Sequence, residues 1–357
     1  MSSRNAVSNN NINSFIGDFL SGLDARQKEV ISRRYGLDGE KPSTLQAVGK
    51  RYNITRERVR QIEAVALAFL KKKAEASPYF KSFTQLAVSR LKGLGGLEAE
   101  ANFLEHLKKN LNHRGPKDDF ENPARFLLEL SGKLMSHRDK YSVDWHHFWY
   151  LGEGDKKQAH TFVDKLELTL NQKKQEVIDE NNFGEVLSVV AKTSKLSELV
   201  AKNYLAISKK IGSGPFGAVG LLDWPEVNPK TARDWAYLIL KKEQQPLHFS
   251  KISETISHYR KNKRTNLQTV HNELIKDDRF VLVGRGLYGL KEAGLVPGTA
   301  REIIAYVLKN NGPLPSREVV RRVKEQRFFK EGTIMINLQN RKHFECLSDG
   351  RYFLREA

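Results

Sequence analysis

Cysteine is almost absent from the sequence. Cys346 is the single example among 357 residues, so no disulfide can form within the chain, which suits a reducing compartment. Runs of about 18 apolar residues are also lacking, and a membrane-spanning helix is therefore not expected. Residues 1–14 are rich in serine and asparagine and have no apolar segment, which argues against a secretory signal. We expect a cytoplasmic protein without a membrane partner, whose residues 1–18 form a disordered lead.

The sequence also lacks the motifs of common catalytic and metal-binding sites. It contains no Cys-x-x-Cys, His-Glu-x-x-His, Gly-x-Ser-x-Gly or Walker pattern. Residues 153–156, Glu-Gly-Asp-Lys, come closest to the carboxylates and lysine of a nuclease, but no predicted strand carries them. His146 and His147 lie in an aromatic run, residues 145–150, which favours a packing cluster over metal ligation or stacking on unpaired bases. We therefore predict no enzymatic activity, no catalytic residues, no cofactor, no metal and no small-molecule ligand.

Positive charge is in excess. The chain has 60 Lys and Arg residues against 42 Asp and Glu, which gives a formal net charge of +18. Residues 1–75 carry 14 basic and 8 acidic residues, and residues 229–357 carry 25 and 14. Residues 76–228 are nearly neutral, with 21 and 20. This distribution favours a polyanionic partner held at both ends of the chain.

A helix is predicted from residue 56 to about residue 73. The hydroxyl of Thr55 can accept a hydrogen bond from a free amide of its first turn, which makes this residue a good N-cap. Apolar residues recur at three- and four-residue steps and predict one buried face. The residues of this face are Val59, Ile62, Ala66 and Phe69.

The other face of this helix carries side chains that can recognise bases. They are Arg56, Glu57, Arg60 and Gln61. Arginine and glutamine can each form two hydrogen bonds to a base edge, and a carboxylate can accept from cytosine. A charged face on an isolated helix is more often only solvated. Here, however, a helix over residues 44–51 and a short turn precede it, and a further helix over residues 23–35 ends at Gly36, so a helix-turn-helix is predicted.

Residues 20–73 resemble region 4 of the sigma-70 family of bacterial transcription initiation factors. The resemblance lies in RRYGL at residues 33–37, TLQAVG at 44–49 and TRERVRQIEA at 55–64. It implies a domain that binds the −35 promoter hexamer and the flap of the RNA polymerase core. The resemblance further implies that Arg56, Glu57, Arg60 and Gln61 contact bases, and that Thr44, Leu45 and Arg58 lie near phosphates. Because only about 20 residues precede this domain, we expect the core-binding and melting region of a full sigma factor to be absent.

A second candidate DNA-binding segment covers residues 229–293. Three predicted helices are followed by two strands around the turn at residues 284–286, which is the order of a winged helix. Residues 246–249, 269–270 and 278–290 resemble the HARE-type helix-turn-helix family, which also occurs in the delta subunit of bacterial RNA polymerase. The resemblance implies binding to DNA or bridging of polymerase to DNA. Lys263, Arg264 and Arg285 are predicted either to contact phosphates or to be only solvated.

The pattern of this segment returns in residues 296–357. Phe280, Tyr288 and Leu290 match Phe344, Tyr352 and Leu354 at a constant offset of 64, since 344 − 280 = 352 − 288 = 354 − 290. An internal repeat of this kind predicts a second, diverged winged helix. Its second helix carries a basic run that is either solvated or in contact with phosphates, and Cys346 is expected to be buried in a strand. The run consists of Arg317, Arg321, Arg322, Lys324 and Arg327.

The chain is therefore predicted to be mainly α and multidomain, with small β-hairpin wings. The expected parts are a disordered lead (1–18), the helix-turn-helix domain (19–75), a helical middle domain (76–211), a linker (212–228) and winged helices at 229–293 and 296–357. One functional hypothesis is a transcription regulator or sigma-like factor that binds promoter-type double-stranded DNA. The alternative is an accessory protein of the RNA polymerase core that acts through protein contacts, and a nuclease accessory module is a third. The first two would place the protein at the bacterial nucleoid.

Overall fold

The computed structural model describes residues 12–116, 118–139, 141–260, 265–295, 298–327 and 329–355. The chain is mainly helical, and its sheets are antiparallel and small. It separates into two compact units, Met1–Ile211 and Gly212–Ala357. None of the helices in the described part of the chain has the length and apolar character needed to cross a bilayer.

The first unit combines eleven described helices with one three-stranded sheet. The helices are α1 (Ile12–Leu20), α2 (Ala25–Tyr35), α3 (Leu45–Tyr52), α4 (Arg56–Ala76), α5 (Pro78–Gly93), α6 (Glu100–Asn110), α7 (Asp118–Ser131), α8 (Glu153–Gln172), α9 (Lys174–Glu180), α10 (Phe183–Thr193) and α11 (Glu198–Leu205). The strands are β1 (Leu97–Ala99), β2 (Met135–His137) and β3 (Phe148–Tyr150). They pair in the order β1-β3-β2, so the last strand in sequence lies in the centre.

Part of the expected disordered lead is a helix. Residues 12–18 belong to α1, whose Ile12 and Ile16 are buried in the same core as Leu70 of α4. The apolar residues of α1 lie three and four positions apart and form one face, which packs against α4 and α7. The prediction of disorder was wrong here, because these apolar residues form a local helical face within an otherwise polar segment. The remainder of the lead, residues 1–11, lies outside the described residues.

The middle region was expected to be a separate, all-helical domain, and the structure differs on both points. One hydrophobic core runs from α1 to β3 and includes α4, α5 and α7. Tyr35 of α2 lies 4.9 Å from Phe126 of α7, measured between ring centroids, and the side-chain amide of Asn122 donates to the carbonyl of Gly36. The sheet also belongs to this region. Its strand β3 is the second half of the aromatic run, where Phe148 and Trp149 are inaccessible to solvent as a packing cluster requires, whereas His146 and His147 are exposed.

Two histidines, His137 of β2 and His160 of α8, stack on aromatic rings of this region. The ring of His160 stacks on Trp145 at a centroid distance of 4.0 Å, and the ring of His137 stacks on Phe148 at 4.8 Å. The Nε2 atoms of both histidines are buried and have no hydrogen-bond partner among the described residues. Burial lowers the pKa of both imidazoles, and the ammonium of Lys156 lowers it further. Folding therefore favours the neutral form of this pair.

We expect the free energy of unfolding to decrease when the pH falls below about 6.5, the ordinary pKa of histidine. A histidine whose pKa is lowered by folding binds a proton more readily in the unfolded chain, so acid favours unfolding. The stabilisation is complete above about pH 6.5 and is lost as the pH falls towards the folded-state pKa. Urea unfolding between about pH 7.5 and pH 5.5 measures the loss, which should be smaller in His160→Gln. An identical loss in the variant would contradict the assignment to this pair.

The second unit, with the strand that leads into it, begins with a hairpin of β4 (Ile211–Ser213) and β5 (Val219–Leu221). Next come α12 (Ala232–Glu243), β6 (Leu247–His248), α13 (Phe249–Tyr259), α14 (Leu267–Lys276), β7 (Phe280–Gly284), β8 (Leu287–Leu290) and a 3-10 turn, Lys291–Ala293. The last elements are α15 (Ala300–Asn311), β9 (Leu314–Pro315), α16 (Ser316–Gln326), α17 (Glu331–Leu338), β10 (Phe344–Cys346) and β11 (Arg351–Leu354).

The same order of elements occurs twice in this unit. We call residues 229–293 the first repeat and residues 296–357 the second repeat. Their sheets have the equivalent strand orders β6-β8-β7 and β9-β11-β10, and each repeat has its own hydrophobic core. Residues matched by the offset of 64 occupy equivalent sheet positions, and so do Leu247 and Leu314 in the first strand of each repeat. The matching pairs are Phe280 with Leu290 and Phe344 with Leu354, and Leu247 with Tyr288 and Leu314 with Tyr352.

Two sequence predictions in this unit were wrong. The expected linker, residues 212–228, folds into the β4–β5 hairpin and buries Trp224 and Val227, which lie close to Gly220 of β5. Phe216 in the hairpin turn packs against the rings of Trp235 and Tyr259. Cys346 is exposed rather than buried, since it lies at the end of the outer strand β10.

Candidate nucleic-acid interface

Helices α2, α3 and α4 form a helix-turn-helix around a small core of its own. Val30, Val48 and Val59, one from each helix, are buried together. The turn between α3 and α4 depends on Asn53, which adopts a left-handed conformation with φ 53°. Gly49 is required beside it, because a Cβ atom there would lie 2.7 Å from the carbonyl oxygen of Ile54. These contacts fix the angle at which α4 follows α3.

Side-chain caps define where these helices begin. The hydroxyl of Thr55 accepts a hydrogen bond from the amide of Arg58 at 3.1 Å, so the predicted N-cap of α4 is confirmed. Thr44 caps α3 in the same way, through the amide of Ala47 at 3.2 Å. Each cap accepts a hydrogen bond from one of the free backbone amides in the first turn of its helix. The other free amides of that turn point out of the amino-terminal end of the helix. The amino-terminal ends of α3 and α4 are thereby suited to anionic groups.

The buried face of α4 changes along its length. Val59 and Ala66 are buried as predicted, whereas Phe69 is 44% exposed and Leu70 is fully buried in its place. The buried positions 59, 63, 66, 70 and 74 follow three- and four-residue steps that direct the second half of α4 towards the large core of the unit. Glu63 in this row pairs with the Nε of Arg34 at 3.1 Å. The first half of α4 is free of that core.

The first two turns of α4 present the polar surface predicted from the sequence. All the side chains expected to contact bases, together with Arg58, are exposed. They surround the buried Val59 on the solvent-facing part of α4, with Glu57 and Gln61 farthest from it, and none is packed into the core of the unit. The exposed set is Arg56, Glu57, Arg58, Arg60 and Gln61.

Four of these side chains form two pairs in the free protein. Arg60 donates to both carboxylate oxygens of Glu57, with a shortest contact of 2.7 Å between Nη2 and Oε1. This guanidinium lowers the pKa of the Glu57 carboxyl, which therefore stays ionised. Arg58 donates to the side-chain oxygen of Gln61 at 3.1 Å. Ion pairs as exposed as this one add little to folding stability, so DNA can replace them at small cost.

A groove between α3 and α4 lies beside this surface. Its cations are Lys50, Arg56 and Arg58, and its floor includes Gly49 and Ile54. Lys50 was not predicted from the sequence, although its position in the last turn of α3, before the left-handed Asn53, could have indicated it. A groove with this charge is suited to the phosphates of a nucleic acid backbone.

The two residues predicted to contact phosphates at the start of α3 differ in the groups that they can present. Thr44 is exposed, but its hydroxyl is already used as the N-cap. The side chain of Leu45 packs against the three-valine core and is half-buried. Any phosphate contact by Leu45 would therefore use its backbone amide, one of the free amides of the first turn.

The structure describes only some of the candidates in the second unit. Arg285 is exposed in the turn between β7 and β8, whereas Lys263 and Arg264 lie outside the described residues. The basic run of α16 is largely neutralised within the chain, and Arg327 at its end is buried. Its ion pairs join Arg321 to Glu318 and Glu325, Arg322 to Glu318, and Lys324 to Glu331. For these pairs the alternative of a solvated face agrees better with the structure than phosphate contact.

Comparison with known proteins supports the prediction for the first unit. A family model described as Sigma-70, region 4 matches residues 19–72, so the predicted domain is confirmed there. The chain is 43% identical over 65 residues to RNA polymerase sigma factor SigA of Nostoc sp., which is 18% of this chain and 17% of that protein. It is 50% identical over 52 residues to RNA polymerase sigma factor SigA1 of Synechococcus elongatus, 15% of this chain and 13% of that protein. The similarity thus spans less than a fifth of either relative, and supports a sigma-like or DNA-binding role.

Proposed function

We propose that this protein is a transcription regulator or sigma-like factor that recognises promoter-type duplex DNA through α4. The observation that carries the proposal is the exposed polar end of α4, held on its other side by the buried Val59. In a helix-turn-helix the second helix enters the major groove with its amino-terminal residues against the bases. The match to sigma-70 region 4 covers the whole of this surface.

We assign the contacts on this surface by chemistry. Arg60, Gln61 and Arg56 have the donors, and Glu57 has the acceptor, for hydrogen bonds to base edges in the major groove. We assign Arg58 and the amides at the start of α3 to phosphates, together with Lys50, which lines the same groove as Arg58. Each bidentate base contact contributes about 1–3 kcal/mol of discrimination between sequences.

We further propose that both repeats of the second unit are winged helices and that the first is of the HARE type. The order of three helices and a hairpin supports this assignment, as does the return of the same order in residues 298–355. Arg285 at the wing turn is exposed and can reach a phosphate. Lys263 and Arg264 are proposed as further phosphate contacts on the basis of the sequence.

The alternative, action through protein contacts alone, has less support at the helix-turn-helix. The apolar back of this domain, opposite the polar end of α4, is covered by the chain's own helices. Tyr35 and Leu67 on this back belong to the large core, together with the buried Leu70. A protein partner must therefore use the remaining exposed surface. We propose the RNA polymerase core as such a partner and the bacterial nucleoid as the location, because sigma region 4 implies both.

The proposal is tested by selection from random duplex DNA with the full chain, followed by footprinting with and without RNA polymerase core. Enrichment of one sequence and a footprint on DNA alone are expected. A footprint that requires polymerase, without any enriched sequence, would instead support the protein-contact alternative. Metal-dependent cutting of the DNA by the purified protein would overturn the expectation that it is not an enzyme.

A further inference from the structure

The two repeats of the second unit carry opposite charges at equivalent positions. The offset of 64 pairs Asp277 with Arg341 and Asp278 with Lys342 in the turn that precedes the hairpin. The same offset pairs Arg285 with Asp349 at the tip of the hairpin. One strand of five residues, Phe280–Gly284, separates these two places in the first repeat, which corresponds to about 17 Å. The basic end of the hairpin is therefore its tip in the first repeat and the preceding turn in the second repeat.

In the first repeat the turn is acidic and the tip is basic. Asp277 holds Arg279 in an ion pair with a shortest distance of 2.7 Å, so the cation of that turn is neutralised. Arg285 at the tip lies next to Gly286, whose φ of 69° makes the reversal possible. It is the side chain that the hairpin offers to an anion.

In the second repeat the tip is neutralised and the turn is basic. Asp349 binds Arg351 at 2.6 Å, which removes the free charge at the tip. In the turn, the side-chain oxygen of Asn340 accepts from the amide of Lys342, and its carbonyl accepts from the amide of His343. These bonds fix the backbone so that Arg341 and Lys342 are exposed, and neither has an acidic partner in the described part of the chain.

Two further arginines join this turn. The Nη1 of Arg355 donates to the carbonyl of Arg341 at 3.1 Å, and Arg301 at the start of α15 contacts the Nε2 of His343 at 3.2 Å. Arg355 also lies 3.8 Å from a carboxylate oxygen of Glu345. We define the basic turn cluster as Arg301, Arg341, Lys342 and Arg355.

We propose that the second repeat holds the phosphodiester backbone of duplex DNA with the basic turn cluster, rather than with its wing tip or with α16. The inference rests on the proposed function, because duplex DNA is the polyanion that this function supplies. Unpaired cations release counterions from DNA when they bind phosphates, whereas cations already paired within the protein gain less. Of the three basic features of this repeat, the turn is the one that presents two exposed cations, Arg341 and Lys342, without an acidic partner in the described part of the chain.

Cys346 provides a direct test. It is the only cysteine of the sequence, it is exposed, and it lines the same groove as Arg341 and Arg355. A DNA backbone on the cluster should shield this thiol from an uncharged alkylating reagent such as iodoacetamide. We expect random-sequence duplex DNA to slow alkylation of the full chain several-fold at low salt, and added salt to restore the rate. Alkylation that DNA does not slow would overturn the proposal.

Charge-removing variants locate the contact. In Arg341→Gln/Lys342→Gln the protection of Cys346 should disappear, and the slope of log K against log salt should fall by about 1.8, or roughly 0.9 for each lost phosphate contact. Arg321→Gln/Lys324→Gln removes the same charge from paired residues of α16 and should retain both protection and slope. Equal alkylation rates of all proteins without DNA show that the fold around Cys346 is intact. Equal losses of protection in the two double variants would refute the assignment to the turn.

Two further measurements separate this inference from the proposed function. In Arg60→Ala, random duplex DNA should still protect Cys346 although sequence preference is lost. Protection without any sequence preference in the wild type would leave the inference standing and contradict base recognition by α4. Sequence preference without protection of Cys346 would contradict this inference but not the proposed function. If phosphatidylserine vesicles protect Cys346 and DNA does not, the cluster binds a lipid surface, and the inference is overturned.

Discussion

Replacing Arg60 with alanine is expected to weaken binding to the preferred duplex by roughly 5- to 150-fold, the equivalent of about 1–3 kcal/mol. Binding to random duplex should change far less. The guanidinium of Arg60 is exposed at the polar end of α4, and its side-chain partner among the described residues is Glu57, within one helix turn. A base edge that offers two acceptors can take over both hydrogen bonds. The loss should therefore fall on specific binding, measured by titration of both duplexes at one salt concentration.

Three comparison variants make the result specific. Arg60→Lys keeps the charge but loses the planar fork, so it should lose discrimination almost as fully as the alanine variant. Lys72→Ala removes an exposed cation from the far half of α4 and should leave discrimination unchanged. Glu57→Gln measures what the partner carboxylate contributes, because its hydrogen bonds to Arg60 are lost in Arg60→Ala as well. If Arg60→Ala weakens both duplexes equally, Arg60 contacts phosphate and our assignment of base recognition is wrong.

The helix-turn-helix could be predicted because its signals are local. Thr55 as a cap and Gly36 as a helix stop act within a few residues of their position. The valines at positions 48 and 59 were likewise indicated by helical periodicity within their own helices. The exposed polar end of α4 follows from the same periodicity, since side chains opposite a buried stripe must face solvent. The match of residues 19–72 to a family model agrees with this local origin.

The surroundings of this domain could not be predicted because they depend on contacts between distant residues. Asn122 binds the carbonyl of Gly36 across 86 positions. Glu100 is buried between Arg125 and Arg138, and also accepts from the indole of Trp149 at 3.0 Å. Nothing in the sequence around position 100 indicates that its carboxylate has these partners. The arginines and acids of α16 lie three or four residues apart, and this spacing indicates that they can pair on one helix. Whether the pairs form depends on the surface around them in the folded protein.

The shared core of the first unit leads to a second large effect. Leu70 lies in the far half of α4, is fully buried, and belongs to the core that α7 also enters. We expect Leu70→Ala to lower the free energy of unfolding by about 2–5 kcal/mol, since the deleted methyl groups leave a cavity in a close-packed region. Leu168→Ala makes the same chemical change on α8, where the side chain is 60% exposed, and should stay within about 0.5 kcal/mol of the wild type.

Hydrogen exchange shows how far the loss spreads. If α4 and α7 unfold together, Leu70→Ala should reduce the protection of backbone amides in both helices by the same free energy. Phe126 and Leu127 of α7 are buried in that core, so their amides are suitable reporters. Loss confined to α2, α3 and α4 would show instead that the helix-turn-helix folds alone, as its sequence suggested. A shared loss would mean that the exposed end of α4 is held in place by helices outside the family match, so that substitutions there can weaken DNA binding without touching the DNA.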